Sequence, residues 1–144
     1  MSGNFLDSNV LLYLVSGEDN RIDRVRRLLD SSGTVSVQVL NEMVSVCRRK
    51  FRMSWRDTST FLTETKSLLT IIPLTVNTHQ TGLRLAERYG FSIYDSFIVA
   101  AALDAGCDTL WSEDMQDGLL VDGRLCGSTT RSGRSSHLDA TRAP

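Results

Sequence analysis

The amino-acid sequence predicts an α/β fold with a mostly parallel sheet. Short apolar or β-branched runs alternate along the chain with longer segments whose apolar residues recur at helical spacing. The length of 144 residues is typical of one domain, and a hydrophobic content of 41% is enough to bury a core without disulfides or structural metals. The individual elements follow from these local patterns.

In the first half of the chain, the clearest element is the helix predicted over residues 19–31. Its apolar residues form one stripe, and arginines occupy the opposite face. We expect Gly33 to end this helix and Ser36 to cap the next one. The predicted elements are, in order, a strand ending at Leu6, a helix from Ser8, a helix over 19–31, a strand over 34–37 and a helix over 37–51.

The second half of the chain contains an edge strand and a buried helix. Pro73 cannot donate a sheet hydrogen bond, so the strand over residues 70–74 is predicted at an edge. Residues 93–106 are apolar nearly all round, which is typical of a buried helix. The predicted elements are a helix over 55–68, the edge strand, a helix over 77–89 stopped by Gly90, the buried helix, a strand over 109–111 and a last strand within 119–125 that turns at Asp122-Gly123.

The composition changes abruptly at Cys126. Residues 126–144 contain one large aliphatic residue, Leu138, and are dominated by Ser, Thr, Gly and Arg. Such a segment buries too little apolar surface to offset the entropy lost on ordering. We therefore expect a folded domain over residues 1–125 and a disordered tail over residues 126–144.

Charge, cysteine content and hydropathy exclude several classes of protein. The net charge is −1, so no global basic footprint favours nucleic acid, although a nuclease site needs only a local basic rim. The three cysteines are odd in number and lack zinc-ligand spacing, so we expect free thiols and a cytoplasmic location. No signal-like leader is visible and no apolar run reaches 18 residues, which predicts no membrane segment.

Four carboxylates lie at positions where they could take part in catalysis or ligand binding. Asp7 and Asp114 each follow a predicted strand, Asp95 begins the buried helix, and Glu42 lies at the edge of a buried helical stripe. Each also has a simpler structural explanation. Asp7 or Asp114 can cap a helix or turn, and Asp95 can complement a helix dipole. Glu42 can pair with an arginine instead of a metal.

Considered together, the four acids predict a metal site. Ligands of open parallel sheets bind outside the carboxyl ends of the strands, where the strand order switches. Clustered carboxylates repel one another unless a cation neutralises them. Oxygen donors without paired cysteines or histidines suit Mg²⁺ or Mn²⁺, and such an ion can activate water for phosphodiester hydrolysis.

Four runs of the sequence also carry a family resemblance. In order, they are NFLDSNVLLYL, SVQVLNEMVSVCRRK, YGFSIYDSFIVAAAL and LWSEDMQDG. Together they resemble the PIN-domain nucleases, and more closely their VapC-like toxin branch, over residues 3–125. The resemblance implies a three-layer α/β/α fold with a short, mostly parallel central sheet, often in a homodimer. It also implies metal-dependent RNA cleavage and a separate antitoxin protein as partner.

The resemblance assigns roles to residues of this chain. The implied catalytic acids are Asp7, Glu42, Asp95 and Asp114, and the first, third and fourth of these are the implied Mg²⁺ or Mn²⁺ ligands. The implied auxiliary residues are Ser8, Asn9, Ser112 and Asp117. Family members usually continue past a run like LVDGRL into an apolar strand, whereas this chain continues as CGSTTRSGRSS. This ending resembles a frameshifted or replaced C-terminus, so we expect the last strand to be shortened or lost.

Other interpretations stay open at this stage. The basic residues Arg48, Arg49, Lys50 and Arg52 follow Glu42 and are either favourable cations in a last helical turn or contacts to RNA phosphates. A catalytically silent module that binds antitoxin or RNA is the main alternative to an enzyme. A phosphatase of this kind has a second acidic residue at the position of Asn9, so the sequence does not favour that class. A phosphotransfer receiver domain usually has a lysine after a late strand, whereas the lysines of this chain are Lys50 and Lys66. No Gly-x-Gly-x-x-Gly run supports dinucleotide binding.

Overall fold

A six-stranded, mostly parallel sheet forms the centre of the computed structural model, which describes residues 3–17 and 19–130. The strand order is β3-β2-β1-β4-β6-β5, and only the pairing of β5 with β6 is antiparallel among the described strands. Helices cover both faces, so the architecture is the three-layer α/β/α fold that was predicted. The strands are β1 (Asn4–Leu6), β2 (Gly33–Ser36), β3 (Leu69–Ile72), β4 (Thr109–Trp111), β5 (Leu120–Val121) and β6 (Leu125–Ser128).

Side-chain caps fix where most of the helices begin. Ser36, Ser54 and Ser92 each accept a hydrogen bond from a backbone N–H three residues further on. Thr75 and Thr78 form a reciprocal capping box. The helices are α1 (Ser8–Leu11), α2 (Tyr13–Ser16), α3 (Asp19–Asp30), α4 (Val37–Arg49), α5 (Trp55–Lys66), α6 (Val76–Tyr89) and α7 (Ile93–Asp104).

The topology creates a switch point between β1 and β4. From β1 the chain proceeds outward through β2 to β3, and then returns to place β4 on the other side of β1. Leu6 at the end of β1 pairs with Trp111 at the end of β4. The residues that follow these two strands therefore emerge side by side at the carboxyl edge of the sheet, where a ligand site is expected.

The buried helix α7 confirms the interpretation of its all-round apolar pattern. Its residues from Ile98 to Leu103 are buried against the central strands, where Phe5, Leu6 and Leu110 are also buried. The exclusion of such side chains from water is the main source of stability in a domain of this size. Among the described residues, no helix has both the length and the hydropathy needed to cross a membrane.

Most element boundaries agree with the sequence analysis, and the role of Gly33 differs. β3 lies at the sheet edge, as Pro73 predicted, and Gly90 ends α6 in a left-handed conformation. The helix α3 ends at Asp30, and Gly33 instead opens β2. A Cβ atom at Gly33 would lie 2.9 Å from Leu69 Cδ2 and 3.0 Å from a Leu6 methyl carbon, so a larger residue here would force these leucine side chains to shift.

The prediction of a disordered tail from residue 126 is wrong for residues 126–130. Cys126, Gly127 and Ser128 belong to β6, which lies between β4 and β5 and pairs with both. The last strand is therefore present, over Leu125–Ser128. Backbone hydrogen bonds on two sides hold it, and these do not depend on large side chains. The rest of the predicted tail, residues 131–144, lies outside the described residues.

We predict that β6 contributes strongly to stability. Leu125 is completely buried, whereas Leu120 on the paired strand β5 is 56% exposed. The substitution Leu125→Ala should lower the free energy of unfolding by about 2–5 kcal/mol, because it removes buried methyl groups and leaves a cavity. The matched control Leu120→Ala should change it by less than about 0.5 kcal/mol. Urea unfolding of both variants measures the two changes in the free energy of unfolding. Equal changes would contradict the predicted contribution of β6 to stability.

Candidate active site

A cavity of about 300 Å³ opens at the switch point of the sheet. All four acids singled out from the sequence line it, so the structure brings the predicted set together. No lysine, arginine or histidine is found among the described residues that form its wall. The lining residues are Asp7, Ser8, Asn9, Glu42, Ser45, Val46, Asp95 and Asp114, and we refer to this space as the acid cavity.

Asp7 is the most buried of the four acids, with 5% of its surface exposed. It follows β1 directly, and its backbone N–H donates to the Trp111 carbonyl at 2.9 Å. Its Oδ1 accepts from the Ser8 backbone N–H at 2.7 Å, and its Oδ2 accepts from the Ser112 hydroxyl at 2.7 Å. Asp7 is thus the cap of α1, as one interpretation of the sequence held, and also part of the cavity wall.

The segment after β4 brings Asp114 to the same cavity. The Ser112 backbone N–H donates to the Ser128 carbonyl of β6 at 2.9 Å, which extends the sheet pairing by one residue. The Ser112 hydroxyl also accepts from the Asp114 backbone N–H at 3.2 Å. One serine side chain therefore connects the two acids, although Ser112 itself is not part of the described cavity wall. The Asp114 side chain is exposed.

Glu42 reaches the cavity from the middle of α4 and is half-buried. Its Oε1 accepts from the Ser8 hydroxyl at 3.1 Å, and its Oε2 from the Gln38 amide at 3.5 Å. Gln38 also donates to the Tyr94 carbonyl at 3.0 Å, which connects α4 to the first turn of α7. The partners of Glu42 are therefore neutral donors, and no described arginine forms an ion pair with it.

Asp95 lies in the first turn of α7. Its backbone N–H donates to the Ser92 hydroxyl at 3.2 Å, so the helix cap fixes the backbone while the carboxylate lines the cavity. A carboxylate in a first helical turn is favoured by the helix dipole, as the sequence suggested. The structural and the functional interpretations of this residue are therefore compatible.

Crowding of carboxylates changes the acidity of the cavity. Burial raises the pKa of Asp7 from 3.8 to about 6, even though hydrogen bonds from Ser112 and Ser8 oppose the change, and the charges of Glu42 and Asp114 raise it further. Burial also raises the pKa of Glu42, with a further contribution from Asp95 and Asp114. The site is therefore poor in compensating positive charge.

The donor chemistry of the cavity fits a hard divalent cation, because it offers carboxylate, hydroxyl and amide oxygens and uncompensated negative charge. As the side chains stand, no three His, Cys, Asp or Glu residues within 3–17 and 19–130 are arranged to hold a metal ion together. Glu42 and Asp95 are partly exposed and Asp114 is exposed, so rotation of these side chains can change their separation.

The auxiliary residues fall into two groups. Ser8 and Asn9 line the cavity, whereas the structure places Asp117 elsewhere. Asp117 Oδ1 accepts from the Thr129 backbone N–H at 3.3 Å, just beyond β6. In this arrangement Asp117 anchors the chain that follows the last strand.

Glu113 is a residue that the sequence analysis missed. Its half-buried carboxylate accepts hydrogen bonds from the Tyr13 hydroxyl, the Thr129 hydroxyl and both the N–H and the hydroxyl of Thr130. Burial opposes its ionisation, but these hydrogen bonds outweigh burial and lower its pKa. Its position directly before Asp114 was a signal, but its partners are remote in sequence and two of them lay in the predicted tail.

The basic residues near the end of α4 differ in what they contact. The Arg48 guanidinium lies 4.2 Å from the centre of the Trp55 ring and donates to the Met53 carbonyl. Arg49 and Lys50 are exposed and line an open concavity together with Ser45 and Val46, both of which also line the acid cavity. Arg52, the fourth basic residue, is exposed and has a positive φ of 54°.

Comparisons with known proteins agree with this arrangement. The sequence model of a family described as PIN domain matches residues 5–116. A search of curated proteins finds no match. Solved structures that match include a DNA-bound VapBC from Salmonella typhimurium, with a TM-score of 0.68 and 15% identity, covering 90% of this chain and 98% of that chain.

Two further structures share the fold. VapBC2 of Rickettsia felis, bound to a DNA fragment from its promoter, has a TM-score of 0.65 and 19% identity, covering 88% of this chain and 97% of that chain. VapC20 of Mycobacterium tuberculosis, described as a sarcin-ricin loop cleaving toxin, has a TM-score of 0.60 and 17% identity, covering 75% and 87%. At these identities the likeness establishes a common fold.

The pKa of Asp7 predicts a pH-dependent cost to stability. Because the folded-state pKa of about 6 is above the ordinary value of 3.8, the folded protein binds more protons than the unfolded chain between these pH values. The contribution of Asp7 to the free energy of unfolding therefore falls as pH rises through this window. The Asp7→Asn variant should be more stable than the parent above pH 6 by about 1–3 kcal/mol, and this gap should close near pH 3.8.

Urea unfolding of parent and variant at both pH values measures this gap. The matched control is Asp23→Asn, which changes an exposed aspartate on α3 and should stay within about 0.5 kcal/mol of the parent at each pH. A gap for Asp7→Asn that is independent of pH would show that ionisation of this carboxylate is not its cause.

Proposed function

The chain belongs to the PIN domain family, and from this premise we propose that it is a metal-dependent endoribonuclease, the toxin of a toxin–antitoxin pair. The observation that carries the proposal is the acid cavity itself. Four carboxylates converge there, from the residue after β1, from α4, from α7 and from the segment after β4, and no described cationic side chain lines the wall. Building such a site costs stability and is expected where a cation is bound.

The proposed metal ligands are Asp7, Asp95 and Asp114, with Mg²⁺ or Mn²⁺ as the ion. When bound, such an ion neutralises the carboxylates, polarises a phosphodiester and lowers the pKa of a water molecule. The chain itself fixes the direction of the Asp7 carboxylate through the Ser8 N–H and the Ser112 hydroxyl. Glu42, held by Ser8 and Gln38, is proposed to complete the catalytic set by orienting the attacking water.

RNA is the proposed substrate, and Arg49 and Lys50 are its proposed phosphate contacts. The concavity that these two residues line shares Ser45 and Val46 with the acid cavity, so a strand that enters the cavity can continue along α4. Neither residue forms an ion pair with another described residue. Arg48 is a weaker candidate because its guanidinium already contacts Trp55 and the Met53 carbonyl.

A separate antitoxin protein is the proposed partner. A solved structure from Klebsiella pneumoniae that shares the fold is described as a toxin–antitoxin complex, which supports this proposal. A homodimer is part of the same proposal. The sequence cue for a catalytically silent module was the atypical C-terminal segment, and residues 126–128 of that segment form part of β6.

We predict that purified protein cleaves RNA only with Mg²⁺ or Mn²⁺ present. The variants Asp7→Asn and Asp95→Asn should each reduce the cleavage rate by at least about 100-fold, because each removes a charged ligand while preserving size. Cleavage of total tRNA followed on a gel, beside calorimetric Mn²⁺ titration, measures both steps. Expression of the parent should also be toxic to cells, and Asp95→Asn should relieve the toxicity.

The control is Asp57→Asn, an exposed aspartate of α5 that is not part of the described cavity wall. It should cleave like the parent. Metal binding without cleavage of any RNA would favour the silent binding module. Full cleavage by both active-site variants would contradict the proposed mechanism.

We also predict that Arg49 and Lys50 contribute to RNA affinity through charge. In an Asp95→Asn background, which prevents cleavage, the double substitution Arg49→Ala/Lys50→Ala should weaken binding of single-stranded RNA. The slope of log K against log salt should fall by about 1.4, because each phosphate contact contributes about 0.7. Fluorescence anisotropy over a salt series measures this slope.

The charge-matched control for this prediction is Arg26→Ala/Arg27→Ala, which removes two exposed arginines from α3. If both double variants change the slope equally, the effect comes from net charge and not from the α4 concavity.

A further inference from the structure

The Glu113 carboxylate is the centre of a hydrogen-bond cluster beside the acid cavity. Oε1 accepts from the Thr129 hydroxyl at 2.9 Å and the Thr130 N–H at 2.8 Å. Oε2 accepts from the Tyr13 hydroxyl at 2.7 Å and the Thr130 hydroxyl at 3.0 Å. Four donors around one ionised carboxylate form strong, charge-assisted hydrogen bonds. This cluster joins α2 to the segment that follows β6.

The backbone of Glu113 is fixed as well. Its N–H donates to Asn9 Oδ1 at 3.2 Å, and Asn9 lines the acid cavity. On one side of Glu113, Ser112 binds Asp7 at 2.7 Å; on the other, the Asp114 N–H binds the Ser112 hydroxyl at 3.2 Å. Ser112 and Glu113 are therefore each bonded to a different residue of the cavity wall, and the Asp114 N–H is bonded to Ser112.

The Asp114 carboxylate takes no part in these hydrogen bonds. It is exposed, and no described residue forms a hydrogen bond with it. Its place at the cavity therefore depends on the backbone that carries it, and the Glu113 side chain joins this backbone to α2 and to the segment after β6. Glu113 itself is not among the described residues that line the cavity, and its two oxygens are already occupied by donors.

We propose that Glu113 is the positioning residue of the acid cavity, and that Thr129 and Thr130 complete the site by binding it. In this view the segment after β6 is part of the nuclease machinery, although it contributes no group to the reaction. Asp114 is held in reach of the metal because Glu113 is held by α2 and by that segment. The catalytic consequence rests on the proposed nuclease function, whereas the backbone consequence does not.

The first measurement is amide hydrogen exchange in the absence of metal. In Glu113→Ala, the amides of residues 113 and 114 should lose protection, because the backbone that carries them is no longer held against their acceptors Asn9 and Ser112. The amides of β4 should keep their protection. Unchanged protection at residues 113 and 114 would overturn the proposal, whether or not the protein proves to be a nuclease.

The second measurement separates positioning from fold stability and from direct metal binding. Glu113→Ala should weaken Mn²⁺ binding and lower kcat on RNA by about 10–100-fold each, with little change in KM, as loss of outer-shell support does. Thr130→Val, which removes one hydroxyl donor, should change both in the same direction by less. Glu113→Gln keeps an acceptor oxygen and should restore part of the loss.

The matched control is Ser128→Ala, at the end of β6 and directly before this segment. The Ser128 hydroxyl is buried and has no hydrogen-bond partner among the described residues, so its removal should leave Mn²⁺ affinity, kcat and KM unchanged. A lowered melting temperature in Glu113→Ala with parental Mn²⁺ affinity and kcat would reduce Glu113 to a structural role. If Glu113→Gln abolishes metal binding while Thr130→Val has no effect, Glu113 is a ligand and the proposal is wrong.

Failure of the nuclease proposal would look different. A parent protein that binds Mn²⁺ but cleaves no RNA would contradict the nuclease function, while Mn²⁺ affinity and amide exchange would still decide the role of Glu113. A parent that binds no Mn²⁺ would leave amide exchange as the deciding result.

Discussion

The hydrogen bond from the Ser112 hydroxyl to Asp7 is the interaction on which the site depends. It joins residues 105 positions apart in the chain, at the ends of the two strands between which the sheet reverses its order. A carboxylate buried at such a junction requires donors, because burial of an unsatisfied charge is very costly. The same serine accepts the Asp114 N–H, so one side chain sets the spacing of two acids.

The acids in and beside the cavity differ in whether hydrogen-bond donors stabilise their negative charge. Glu113 is surrounded by donors and is an ordinary, strongly ionised structural carboxylate. Burial and neighbouring negative charge raise the pKa values of Asp7 and Glu42. Proteins usually retain such unfavourable groups where function needs them. The carboxylate of Glu113 therefore ionises more readily than those of Asp7 and Glu42, for reasons that lie in their surroundings.

Periodicity in the sequence was enough to predict the alternating strands and helices, and strand ends were enough to group Asp7 with Asp114. Pro73 marked an edge strand because proline lacks a donor. The strand at residues 126–128 could not be predicted in this way, since its stability comes from backbone pairing with both neighbours and its side chains are small. The contacts of Glu113 and Asp117 with Thr129 and Thr130 could not be predicted for the same reason, because the segment that contains these threonines has no apolar pattern.

The insertion of β6 between β4 and β5 has a consequence for biosynthesis. Chains emerge from the ribosome with the N-terminus first, and β6 is the last described strand to be made. Until it emerges, β4 has an open edge and Ser112 lacks its backbone partner. The first acid of the cavity is thus made more than one hundred residues before the site can close. The acid cavity of a growing chain is therefore incomplete until synthesis has passed β6.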